Sequence, residues 1–261
     1  MPTAAELYDA ILADPDNVDL RLQYADAVSD TDPDHAELIR LQVEDERLGR
    51  QALFPHADKF ERTQRLLRSV GPRIAATVAP LVNDWQLRRG FPEVIAMTAP
   101  AFLTTAEEVY RRAPIRHLIL TDVVEHVDAL AASPSLARLS SLDLEGNPLG
   151  DRGLKSLIRS PYLTKLRFLG LRRCRIGPEG AEAMAATDAL PNLQYVSFMG
   201  NAVVVTPQPA AQDAISGELL EIDYPPYGRK LIETYGAKPW LTYTSPNPDA
   251  ELYYGPDYGE V

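Results

Sequence analysis

The chain has 261 residues, 45% hydrophobic and 24% charged, enough for one or two hydrophobic cores without disulfide staples. Acids outnumber Lys and Arg by 37 to 26, for a net charge of −11. Residues 91–204 balance at 12 acids and 12 bases and both flanks are acidic, so no segment has the basic excess that nucleic acid or an anionic membrane surface demands.

From the amino terminus the pattern is helical. Thr3-Ala4-Ala5-Glu6 is a capping box, and Leu7, Ala10 and Ile11 follow at helical spacing until Asp14-Pro15. Leu20, Leu22, Tyr24, Ala25 and Val28 predict a second helix, and Asp30–Asp34 a loop. A third helix is expected from about His35 to Arg50, with Leu38, Leu41 and Leu48 inward. A fourth is expected from about Pro55 to Val70, with a fifth opening at Gly71-Pro72. The carboxylates of Asp30–Asp34 do not form a calcium loop, because His35 and Leu41 stand where an EF-hand needs Gly and Glu.

Four segments carry a resemblance: Glu6-Leu7-Tyr8, Ile11-Leu12-Ala13-Asp14-Pro15, Arg21-Leu22-Gln23-Tyr24-Ala25-Asp26 and Ile39-Arg40-Leu41-Gln42. In order and spacing, residues 3–50 resemble the bacterial repeat-companion domain. The resemblance implies a short helical module ahead of repeats, and no catalytic residues. Asp32-Pro33-Asp34-His35-Ala36 departs from it in lacking a glycine beside the Asp-Pro.

The next signal is internal periodicity. Leu139, Leu142, Leu144 and Asn147 fit the template Leu-x-x-Leu-x-Leu-x-x-Asn/Cys, as do Leu166, Leu169, Leu171 and Cys174. Leu193, Val196, Phe198 and Asn201 fit with conservative changes. Degenerate copies begin at Ile115 and Phe91, so the starts are spaced by 24, 24, 27 and 27 residues. Each copy is followed by a helical half, and Leu149-Gly150-Asp151-Arg152-Gly153 recurs as Ile176-Gly177-Pro178-Glu179-Gly180. Residues 91–204 thereby resemble ribonuclease-inhibitor-like leucine-rich repeats, including those of bacterial effectors. The resemblance implies a protein that binds other proteins.

The expected fold is α/β: a leucine-rich-repeat solenoid, with a parallel sheet and outer helices, preceded by an all-α module. The expected divisions are a helical module and cap at 1–84, repeats at 85–204, an irregular cap at 205–243 and an acidic Tyr/Pro tail at 244–261. In the cap, Ser216–Asp223 and a helix over Gly228–Tyr235 cover the last repeat, with Trp240, Leu241 and Tyr243 beneath. Asn147 and Asn201 pair with backbone where the chain leaves the strand, and Cys174 holds the same structural position.

If the leucines point inward, alternate residues form three rails across the exposed concave face. They are Glu93, His117, Ser141, Phe168, Tyr195; then Ile95, Ile119, Asp143, Gly170, Ser197; then Met97, Thr121, Glu145, Arg172, Met199. The expected partner-binding residues are Ile95, His117, Ile119, Asp143, Glu145, Phe168, Arg172, Tyr195 and Met199, centred on an exposed Phe168–Tyr195 pair and Arg172.

No phosphate-binding glycine loop, nucleophile elbow or zinc-protease helix occurs, and no two of the four histidines share metal-ligand spacing. The reading is therefore a non-catalytic scaffold for a protein or peptide, with no cofactor, no metal, no nucleic acid and no membrane. One alternative is an inhibitor or immunity-like protein that blocks a basic target through its acidic surface. Another is a cryptic hydrolase or transferase around His117 and Glu93. The tail, with four acids, three tyrosines, three prolines and no base, fits a draped terminus, a docking peptide or a cap on its own repeats. The single cysteine precludes an internal disulfide, and residues 1–30 lack a signal-peptide pattern, so the expected location is cytoplasmic.

Overall fold

The computed structural model describes residues 2–48, 57–205, 208–212 and 219–242. The acidic segment 244–261, Tyr243 and residues 216–218 of the expected cap lie outside the described residues. The chain divides into two compact units. Among the described residues, one takes those up to Met97 with Thr105–His117; the other takes Thr98–Thr104 with those from Leu118 to Thr242. Among the described residues, no helix is long and apolar enough to cross a membrane.

In the first unit, α1 (Ala4–Ala13) starts at its capping box, where the Thr3 amide donates to Glu6 Oε2 at 2.7 Å and the Glu6 amide to Thr3 Oγ1 at 3.3 Å. Helix α2 (Val18–Val28) is capped by Asn17, whose Oδ1 accepts from the Leu20 amide at 3.2 Å. Helix α3 (Pro33–Leu48) begins two residues earlier than His35. Pro33 suits a first turn, where its missing N–H would lack a partner anyway, and Asp32 Oδ1 accepts from the His35 amide at 3.4 Å.

Helix α4 (Ala57–Ala75) runs straight through Gly71-Pro72, where the sequence predicts a new helix. A proline inside a helix costs about 3 kcal/mol. Packing on both sides of it offsets that cost: Leu66, Val70 and Ala75 are buried with Leu38 and Leu87, and Ile74 and Trp85 close the cluster. A second core joins Ile11, Ala25, Val28, Ile39 and Val43 to Phe91. Leu38 is buried, and Leu41 is half-buried.

Strands β1 (Asp84–Arg88) and β2 (Phe91–Thr98) form an antiparallel hairpin in the same unit, so its helices pack on strands. Its turn is Arg89-Gly90, with φ of +50° and +81°, the pattern of a tight two-residue turn. Gly90 is required twice over, since a Cβ there would lie 2.1 Å from Ile39 Cγ1.

This packing corrects the beginning of all three rails. Glu93 is fully buried, because Arg21 reaches in from α2 and places Nη1 2.8 Å from Glu93 Oε1. Arg89 Nε donates to the same oxygen at 3.0 Å, and the Arg21 guanidinium lies 5.1 Å from the centre of the Phe91 ring. Ile95 is paired opposite Trp85 and is 1% exposed, and Met97 is 2% exposed, so neither is an outward-facing residue. His117 is also buried, with Arg88 Nη1 3.1 Å from its Nε2.

In the second unit, strands and helices alternate after α5 (Ala99–Arg112), whose first residues belong here. They are β3 (His117–Thr121), α6 (Val127–Ala131), β4 (Ser141–Asp143), α7 (Gly150–Leu157), β5 (Phe168–Gly170), α8 (Pro178–Ala186) and β6 (Tyr195–Ser197). Strands β3 to β6 lie side by side in chain order, and β4–β5 and β5–β6 are parallel. Leu142, Leu144, Leu169, Leu171, Val196 and Phe198 all point into one core, none more than 3% exposed. Helix α7 packs against both α6 and α8.

Beyond β6, β7 (Gln208–Gln212) and β8 (Leu219–Asp223) form a two-stranded antiparallel ribbon. Helix α9 (Pro226–Tyr235) follows, with proline in its first turn, and then α10 (Pro239–Thr242). The Trp240 ring lies 5.8 Å from that of Phe198, and Leu241 is wholly buried.

Candidate functional site

The repeat length becomes strand register in the second unit. Ser141, Phe168 and Tyr195 are aligned, and so are Asp143, Gly170 and Ser197. The ladder continues past the strands: the Gly146 amide donates to Arg172 O and the Arg173 amide to Met199 O, each at 2.9 Å. Glu145, Arg172 and Met199 are thus neighbours, as 27-residue spacing requires.

The side chains on these rails differ in exposure. Phe168 is 3% exposed, which corrects the expectation of an exposed aromatic pair. Its ring stacks on that of Tyr195 at 5.4 Å and 26°, so each ring removes one face of the other from water, and only Tyr195 stays half-buried. On the second rail, Ile119 and Asp143 are half-buried and Ser197 is buried. Asp143 Oδ1 accepts from the Glu145 amide at 2.8 Å. A Cβ at Gly170 would lie 2.2 Å from that oxygen, so the glycine makes room for the carboxylate.

The third rail reaches water. Thr121 is exposed, Glu145 and Arg172 are half-buried, and Met199 is 61% exposed. Arg172 Nε and Arg173 Nη1 approach Glu145 Oε1 at 3.6 and 3.7 Å. Both distances are too long for a hydrogen bond, and pairs this loose contribute about 0–1 kcal/mol each.

The turn after each strand shows the repeat in its backbone. Asp122, Gly146, Arg173 and Gly200 occupy one repeat position and are all left-handed, with φ of +56°, +77°, +54° and +75°. Arg175 is also left-handed, at +58°. Below these turns, Asn147 donates Nδ2 to Leu120 O at 2.8 Å and Leu144 O at 3.0 Å, and accepts from the Val123 amide at 3.1 Å. One repeat pair further on, Asn201 donates to Leu171 O and Phe198 O and accepts from the Ile176 amide at 2.9 Å. Between them, the Cys174 thiol donates to Leu144 O at 3.0 Å. Burial pushes that thiol up to about 12, far from a reactive thiolate.

A cleft of about 430 Å³ opens beside the third rail, between the turns after β3 and β4. Asp122, Glu125, His126 and Glu145 line it with Val124 and Pro148. Among the described residues, no group of three or more His, Cys, Asp or Glu is arranged to hold a metal ion. Across the outer helices, a second cleft carries Arg152, Lys155 and Arg159, with Asp128, Asp151 and Glu179 among them. Within it, Lys155 pairs with Glu179 at 2.8 Å, Ser156 donates to Asp128, and Asp151 accepts from the Gly177 amide.

Residues 138–157 and 162–185 match a family model described as leucine rich repeat. These two segments carry leucine-rich repeats. Such repeats commonly serve as protein-binding scaffolds and are typically not enzymes. A comparison with curated proteins finds no match. Within the matched repeats, β4, β5 and the turns after them bring together Glu145, Arg172 and Arg173. Sequence reasoning passed over Asp122, Glu125 and Arg173. The signal for Asp122 and Arg173 was available, because both fall where other copies carry glycine.

Proposed function

We propose that the protein is a non-catalytic scaffold of the cell interior that binds a protein or peptide through the ends of its repeat strands. The observation that carries this reading is the third rail, where Glu145, Arg172 and Met199 come into register and stay accessible, with the exposed Thr121 and with Tyr195 alongside. Aromatic and Arg side chains supply most interface energy, and a rail held by a backbone ladder pays little ordering cost on binding. The site therefore centres on Arg172, Tyr195 and Met199, not on Phe168.

An acid–base reading at His117 and Glu93 has little support. The Glu93 carboxylate is held by Arg21 and Arg89 in the core, and its side chain is closed to solvent. The binding reading is tested by affinity capture with the full chain and with its Arg172→Ala/Tyr195→Ala/Met199→Ala variant. Proteins retained by the first and lost by the second support it, provided the variant unfolds at a similar temperature. Identical captured sets contradict it.

A further inference from the structure

We propose that the strand-end rim takes a partner segment that crosses the strands and presents a basic, then an acidic, then an apolar side chain. This rests on the binding reading above and specifies the chemistry of the partner.

The rim changes character strand by strand. Beside β3 and β4 it is anionic, with Asp122, Glu125 and Glu145 around a cleft whose apolar wall includes the exposed Val124. After β5 it is cationic: Arg172 and Arg173 share the single carboxylate of Glu145, at 3.6 and 3.7 Å, and Arg175 projects from the same turn. Two guanidiniums on one carboxylate leave positive charge for a partner to neutralise. After β6 the rim is apolar, with Met199 61% and Val204 56% exposed. Parallel strands lie about 4.8 Å apart, so β3 to β6 spans about 14 Å, the length of four or five extended residues.

The charge order selects against simpler partners. A uniformly acidic segment meets repulsion at Asp122 and Glu125, on a chain whose net charge is −11. A uniformly basic one meets Arg172, Arg173 and Arg175. A segment whose sign changes between β4 and β5 satisfies both halves. Arg173 adds weight, because this exposed side chain sits in a left-handed backbone at a position filled by Gly146 and Gly200 in the neighbouring repeats.

The test displays random linear peptides against the full chain. It repeats the selection on the full chain carrying Asp122→Lys, Glu145→Lys, Arg172→Glu and Arg173→Glu, and on a Tyr195→Ala/Met199→Ala chain. Peptides selected on the unaltered chain should read basic, acidic, apolar, and should bind the charge-exchanged chain at least ten-fold more weakly. Peptides selected on the exchanged chain should show the charges in reverse order. Equal binding of one peptide set to both chains overturns the charge-order inference, and the binding reading survives if that set still needs Tyr195 or Met199. Peptides indifferent to those two residues, or no selected peptides, remove both. Tyrosine-rich acidic peptides resembling residues 249–258 would assign the rim to the chain's own segment and overturn the proposal. So would self-association that excludes peptide. If the exchanged chain does not fold, Glu145→Gln and Arg173→Gln carry the test, each weakening the selected peptides several-fold; unchanged affinity overturns it.

Discussion

Arg173 and Gly200 hold the same place in successive repeats, with φ of +54° and +75°, and a Cβ on Gly200 would come within 2.9 Å of Arg173 Cγ. The glycine thus meets two demands, and the arginine meets one of them at a cost. Arg173→Gly should raise stability by about 1 kcal/mol, as relief of left-handed strain exceeds the extra entropy of an unfolded glycine. Gly200→Ala should lower it by about 1 kcal/mol or more. Urea unfolding of both variants checks the pair of signs.

The buried ion cluster should be the most sensitive point of the first unit. Arg21→Ala leaves the Glu93 carboxylate with one fewer cation in a site closed to water. Breaking such a pair costs about 3–5 kcal/mol. Arg21→Met with Glu93→Gln should cost less than Arg21→Ala alone, since position 93 is then neutral and Arg89 keeps the carboxylate of Glu46 at 3.4 Å. Thermal unfolding of the two variants decides it, and equal losses would count against the pairing.

His35 makes stability depend on pH. It is buried, its Nε2 lies 2.8 Å from Gly90 O, and burial holds its imidazole below the ordinary histidine range despite that bond and Asp32. As pH falls through the ordinary range, the unfolded chain takes up the proton first. Stability from this group is therefore present above that range and lost as pH falls towards the lower value in the folded state. Urea midpoints between pH 7 and 5 should fall less steeply in His35→Gln than in the unaltered chain.

Cys174 should behave as a core residue. With its thiol pushed up to about 12 and donating to Leu144 O, it should resist a disulfide reagent at pH 8 in the folded chain and react only on unfolding. Rapid stoichiometric labelling under native conditions would contradict this.

The repeat was legible because its physics is local and periodic. Leucines every second residue along a strand and an Asn or Cys at its exit recur at fixed spacing, and the register of Ser141, Phe168 and Tyr195 is that spacing made spatial. The fate of individual outward positions was not legible, because it depends on what packs on them from elsewhere. Glu93 was lost to Arg21, a residue 72 positions away, and Phe168, stacked on Tyr195, is 3% exposed. The β1–β2 hairpin escaped notice because Arg89-Gly90 is a weaker turn signal than Asn-Gly. Pro72 misled because a local rule yields where flanking residues bury enough apolar surface.

The central claim, that the strand ends form the binding surface, is tested most directly by hydrogen exchange of the full chain with and without a captured partner. The account predicts slowed exchange in the turns at residues 121–125, 145–148, 172–175 and 199–201. Protection confined to the outer helices at 127–131, 150–157 and 178–186, with those turns unchanged, would contradict it.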